Sequence, residues 1–428
     1  MGTPNYGRTK RTCYYTYLAM SSVFSLPPML FVTFKELYGI SYTLSGTLVL
    51  VNFVTQLCID LIFTFFSKHF NIGKTVKIMP LLTSAGLLLY ALSPLLFGEH
   101  VYAGLLAGTV LFSVSSGLSE VLLSPMIAAI PSDNPDRDMS RLHSLYAYGV
   151  VTVVVISTVY FKLFGTENWQ YLTVFLALLP ILSFVLFSVS PIPEMNISQH
   201  GGDKAETGKR FGLALCVMCI FLGGATENAM TNWVSGYAES ALKLPKAAGD
   251  ILGMALFAVL LGLGRTLYTK YGKNISRVLL LGMFGAVVCY LTAGLFPNAV
   301  VSLIACVMTG FCTSMLWPGT LILMEEKFPH IGVAAYALMA AGGDFGGSVA
   351  PQALGIIVDK VTESGWAAEL APRLSLTAEQ IGMKTGIVFT AVFPILGVLL
   401  LLYMRKYYSA DKKRTAQIGG VKVTGKTV

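Results

Sequence analysis

Residues Gly117–Gly149 read GLSEVLLSPMIAAIPSDNPDRDMSRLHSLYAYG. An apolar run carries one carboxylate, Glu120, in its middle, breaks into a short polar turn, and resumes as a second apolar run. Helix, polar turn and helix is the pattern of a chain that crosses a bilayer and returns, because about 20 apolar residues span the hydrocarbon core and a helix satisfies its own backbone there. An ionised side chain at that depth costs roughly 2.5–3.5 kcal/mol on insertion scales. Glu120 therefore marks a functional site or a carboxylate paired to another helix.

Outward from this stretch the pattern repeats. Apolar runs fall near 13–34, 42–66, 77–97, 101–128, 143–164 and 169–190, and again near 211–236, 247–269, 277–297, 300–324, 333–360 and 381–404. The chain of 428 residues is 54% hydrophobic and 12% charged, whereas a soluble domain is about 25% charged. The expected fold class is an all-α integral membrane protein with twelve transmembrane helices in two pseudo-symmetric six-helix halves. The polar break Ser190–Arg210, SPIPEMNISQHGGDKAETGKR, sets the expected boundaries: a first half over 1–190, a linker over 191–210, a second half over 211–404 and a basic tail over 405–428. Asn196-Ile-Ser198 within the linker matches a glycosylation acceptor in letters only.

The basic residues fix an expected orientation. With the N-terminus inside, the inside segments hold 22 of the 30 Lys and Arg, the outside segments hold 7, and Arg265 lies within a span. Lys and Arg accumulate on the cytoplasmic side, so both termini are expected to be cytoplasmic in a multi-pass protein of the plasma membrane. The net charge of +8 is thus a topology signal and not a nucleic-acid footprint.

Enzyme and metal chemistry find no constellation. The seven cysteines lie in or beside apolar runs, and Cys216 and Cys219 read as packing. The five histidines (His69, His100, His143, His200 and His330) fall in loops or at span ends with no i,i+4 pair. There is no phosphate-binding glycine loop and no nucleophile beside a base. The expectation is no enzyme activity, no metal and no cofactor, with the proton as candidate coupling ion. The expected partners are a small-molecule substrate and the lipid bilayer, around a monomer. No cleavable signal peptide is expected.

The two halves carry echoes of each other. Span two ends in FFSKHFNIGKTVKI and span eight in LYTKYGKNISRVLL, both with a short basic, glycine-containing turn. Span ten leads through EEKFPHIG into AAYALMAAGG much as span four leads into MSRLHSLYAYG. This six-plus-six plan resembles the major facilitator superfamily. Asp60, Lys68, Gly73 and Lys74 remain of that superfamily's signature at the turn after span two, without its compact spacing. Gly117–Gly149, with GGATENAMTNWVSGYAES in span seven and GLGRTLYTKYG in span eight, resembles the fucose permease-like sugar transporters. The resemblance implies a span-four glutamate in the site, here Glu120. It also implies an acid in span one, and CYYTYLAMSSVFSLPPMLFVTF has none, so a two-carboxylate proton scheme does not carry over intact.

Other candidates follow from residue type and spacing. Ser116 and Ser124 stand four residues to either side of Glu120, on its helix face. Burial disfavours the ionised carboxylate and makes Glu120 a candidate proton carrier or solute ligand. In span seven, Asn228 and Asn232 share a face, with Glu227 about 100° away. Trp233 beside them reads as a pathway wall or as an interfacial belt residue. Arg265 is placed to neutralise Glu120 or Glu227, or to snorkel. Asp344 sits in AGGDFGGS, where Gly342/Gly346 and Gly343/Gly347 permit close helix approach. Asp344 reads equally as a ligand or as a cap on packed helices. Asp60 is expected to hold the turns at the cytoplasmic end. Trp317-Pro318 reads as a kink with a cavity wall.

The function these readings support is secondary active transport of a small polar solute, a monosaccharide first, by alternating access with proton symport. Efflux of drug-like amphiphiles and a non-transporting membrane sensor are the alternatives.

Overall fold

The computed structural model describes residues 6–66, 69–133, 135–193, 207–328 and 333–421. Lys68, Asn196-Ile-Ser198, most of the linker and the side chains of His143 and of 409–421 lie outside the described residues. Among the described residues there are helices and no strands. The first half of the chain forms α1 (Gly7–Met29), α2 (Phe31–Tyr38), α3 (Tyr42–Phe66), α4 (Ile72–Phe97), α5 (Val101–Ala129), α6 (Pro135–Phe164) and α7 (Trp169–Ser188). The second half forms α8 (Thr207–Ser240), α9 (Lys246–Ala248), a π-helical turn over 249–255, α10 (Leu256–Tyr271), α11 (Ile275–Leu295), α12 (Ala299–Thr313), α13 (Leu316–Lys327), α14 (Val333–Thr362), α15 (Gly365–Leu374), α16 (Ala378–Thr390) and α17 (Val392–Val421).

Among the described residues, eight helical stretches are long and apolar enough to cross a membrane, one of them running through both α4 and α5, and the bent α1–α2 pair adds another. With α6 and α14, this is consistent with twelve passes. Local chemistry sets the breaks. Pro27 and Pro28 end α1, and α2 continues at 51° to it, because proline lacks the N–H and clashes with the preceding turn. Asn71 caps α4 through the Lys74 N–H at 3.0 Å. Thr377 and Gln380 form a reciprocal capping box on α16, which satisfies two otherwise orphaned donors.

Within the first half, α4 packs on α5 and α7, and α1 on α6; within the second, α8 packs on α14 and α11 on α12. The largest contact between the halves is α3 on α14. Gly46 permits it: a Cβ there would stand 3.0 Å from the Gln352 Cα, against the α14 backbone.

The hydrogen bonds that join the halves gather at the end of the bundle opposite Gly7. Asp359 on α14 accepts from the N–H of Tyr42 at 3.2 Å and of Thr43 at 2.6 Å, the first turn of α3. Glu379 accepts from Lys35 at 2.9 Å and from the Tyr42 hydroxyl at 2.5 Å. Lys246 donates to the Met29 carbonyl and lies 3.6 Å from Asp250 and 3.7 Å from Glu239. We call this the sealed end. At the opposite end, Lys10 and the Tyr14 hydroxyl tie α1 to Asp138 in the first turn of α6, a tie within the first half.

Candidate functional site

A cavity of about 530 Å³ lies between the halves, within the range of small-molecule sites. Its charged wall groups are Glu120 on α5, Glu227 on α8, Arg265 on α10 and Asp344 on α14. Asn52, Gln56, Asn228 and Asn232 supply amides, and Tyr17, Phe24, Phe53, Phe112, Tyr146 and Trp317 supply rings. Four helices of each half contribute.

Glu120 is exposed although Ser116, Ser119, Leu122 and Leu123 around it are buried. Its exposure is to the lumen that it lines, which makes it reachable by a solute. No described side chain makes a hydrogen bond or ion pair with it. Its charge is felt by Tyr17, Tyr146, Asp60 and Asp344. Glu120 and Asp344 line one lumen from opposite halves of the chain. Asp60 is buried behind the lumen, and Asp344 is buried but reaches it.

Arg265 resolves to Glu227, at 3.5 Å. What aims it is a proline. Pro318 has no N–H, so the carbonyl four residues earlier, Ser314, lacks its helical donor. Arg265 Nε donates to that carbonyl at 3.0 Å. The break between α12 and α13 thus supplies a cavity wall, Trp317-Pro318, and the acceptor that holds Arg265 beside Glu227.

The amides are oriented unambiguously. Asn228 Nδ2 donates to the Gly224 carbonyl at 3.1 Å, Asn232 Nδ2 to the Asn228 carbonyl at 2.9 Å, and Gln56 Nε2 to the Asn52 carbonyl at 3.4 Å. A backbone carbonyl only accepts, so each NH2 faces its own helix and each side-chain oxygen is left for another donor.

The cavity therefore brings together Glu120, Glu227, Asn228, Asn232, Arg265, Trp317 and Asp344. Two expectations are corrected. Trp233 neither lines the cavity nor sits in an interfacial belt. It is fully buried, donates from its indole to the Pro351 carbonyl at 3.1 Å, and packs between Phe31 and Tyr42 beneath the sealed end. Ser124 stands outside the lining, beside the Tyr17 hydroxyl. Asp60 is buried near the inner end of α3 and does not line the cavity. Ser116, expected to serve Glu120, donates to the Phe112 carbonyl of its own helix at 3.0 Å, since a hydroxyl in a helix finds the i−4 carbonyl first. Asn52 and Gln56 were missed, although two amides at i,i+4 inside an apolar run are as anomalous as Asn228 and Asn232. Tyr17 and Tyr146 carried no such signal.

A model of the Major Facilitator Superfamily matches residues 13–351. No curated protein matches the chain. Among solved structures, a D-xylose–proton symporter is similar over 91% of this chain and 97% of its own, at 14% identity and a TM-score of 0.72. A bacterial homologue of the human lysosomal transporter Spinster, inward-facing and occupied, covers 95% and 98% at 12% identity and 0.71. The Escherichia coli fucose:proton symporter FucP covers 93% and 99% at 12% identity and 0.59.

Proposed function

The chain belongs to the major facilitator superfamily, and on that premise we propose that it is a secondary active transporter, not an enzyme, carrying a hydroxyl-bearing solute of monosaccharide size by alternating access and proton coupling. The observation that carries this reading is that Glu120 from one half and Asp344 from the other line one cavity whose halves are bonded together at one end. Two carboxylates that share a low-dielectric space hold a proton between them more readily than two charges. A proton gained or lost there changes the attraction between the halves, and that is the coupling step. With the positive-inside orientation, the sealed end is the outer one, both termini are cytoplasmic, and the cavity serves the inner side of a plasma membrane.

The test is uptake of labelled hydroxyl-bearing solutes of monosaccharide size, neutral and charged, by the purified protein in proteoliposomes, with and without a proton gradient. Accumulation above the equilibrium level is expected only with the gradient. Glu120→Gln is expected to keep exchange but lose accumulation. Gradient-driven accumulation by Glu120→Gln at the wild-type level would overturn the role of Glu120.

A further inference from the structure

Resting on the transporter reading above, we propose that the solute is an organic cation: a hydroxyl-bearing body of monosaccharide size that carries a protonated or quaternary amine.

The charges of the lumen argue for this first. Its walls hold three carboxylates and one guanidinium. The guanidinium is engaged by Glu227 at 3.5 Å and by the Ser314 carbonyl. Glu120 and Asp344 remain, from opposite halves, with no donor among the described side chains, and Asp60 adds its field from behind. With a neutral solute, only the bound proton offsets the two carboxylates that line the lumen from opposite halves. A cation supplies a counter-charge.

Hydrogen-bond polarity points the same way. Asn228, Asn232 and Gln56 turn their NH2 groups to backbone carbonyls and leave their oxygens free. Each of these amides thus presents an acceptor oxygen to the lumen beside the two unpaired carboxylates. A matching solute is rich in donors, as an ammonium and hydroxyls are.

The rings are the third observation. Tyr17 and Tyr146 stand close enough to Glu120 to feel its charge, and Trp317 lines the opposite wall. An aromatic face attracts a cation by about 0.5–2 kcal/mol, so carboxylate and ring together select a positive group without needing many contacts. Exchange of that cation against the shared proton then follows from charge alone: either one neutralises the same pair.

The experiment uses matched probes that differ only in charge: D-glucosamine, D-glucose and D-glucuronate, and choline against its neutral isostere 3,3-dimethylbutanol. Thermal unfolding of the purified full-length protein reads binding, since a ligand of the folded state raises Tm. The cationic member of at least one set is expected to raise Tm at concentrations where its neutral and anionic counterparts do not. Glu120→Gln and Asp344→Asn are each expected to weaken that cation about 10- to 100-fold, as the loss of a charge-assisted bond implies, with apo Tm unchanged or raised. A neutral or anionic member that binds as well as its cation overturns the proposal, and so does a panel in which no cation shifts Tm. Counterflow of the bound cation in proteoliposomes separates the two claims. Binding without flux would overturn the transporter reading and leave the charge preference standing.

Discussion

Asp359→Ala should unseal the closed end. The Asp359 carboxylate accepts two backbone N–H groups, from Tyr42 at 3.2 Å and Thr43 at 2.6 Å, and both bonds cross from one half to the other. They exist only while the halves are together at this end, so their whole value weighs on the sealed state. A charge-assisted bond contributes about 1.5–3 kcal/mol, and an acid at a helix N-terminus adds about 0.3–1 kcal/mol through the dipole. Asp359 is only partly buried, which favours the low end, so about 3 kcal/mol in total is a fair figure. That is a shift of about 100-fold in the ratio of sealed to unsealed protein. The seal is weakened and not abolished, because Lys35, Tyr42 and Glu379 still bond across it. The assay is labelling of a cysteine placed at Leu48, which lines the cavity just beneath the seal, by a membrane-impermeant maleimide added at that side. The same cysteine with Asp359 intact gives the baseline. The rate should rise at least tenfold in Asp359→Ala and by an intermediate factor in Asp359→Asn, which keeps an acceptor oxygen without its charge. Unchanged labelling in both variants, with Tm and expression preserved, would refute the reasoning.

Three further outcomes are expected. Pro318→Ala gives Ser314 a helical N–H and takes its carbonyl from Arg265, so uptake should fall several-fold while Tm holds or rises; proteoliposome flux beside thermal unfolding reads both. A Cβ at Gly346 would overlap the Phe221 carbonyl where α14 crosses α8, so Gly346→Ala should lower stability by about 1–3 kcal/mol, read as a fall in Tm. Lys10, then Ser132, holds the Asp138 carboxyl below its ordinary range. A depressed folded-state value gives stability that is complete above the ordinary aspartate value of about 3.9 and is lost as pH falls through the lowered value. The wild type should therefore lose Tm below about pH 4 more steeply than Asp138→Asn.

Much of the site is legible along the chain for one reason. Hydrocarbon makes every polar side chain inside a span an anomaly, so Glu120, Glu227, Asn228, Asn232, Arg265 and Asp344 stand out by position alone, and each of them lines the cavity. Asn52 and Gln56 could have been found by the same rule. Trp233 could not be placed, because an indole serves a pathway, a membrane interface or a packed core equally well. Which of these it serves depends on Pro351, 118 residues away, whose carbonyl receives its N–H.

By itself the sequence of apolar runs determined the class of fold, since helices are what hydrocarbon permits a single chain to build there, and the stretch from Gly117 to Gly149 shows the rule in one turn. The tertiary structure decided the pairings. Arg265 meets Glu227 and not Glu120 because a missing N–H at Pro318 offers it a carbonyl. Glu120 and Asp344 line one lumen because α5 and α14, from opposite halves, both border it. Asp359 caps α3 from the far half of the chain. Contacts of this kind join residues a hundred or more positions apart, and their energies depend on distance and direction, which no local pattern encodes.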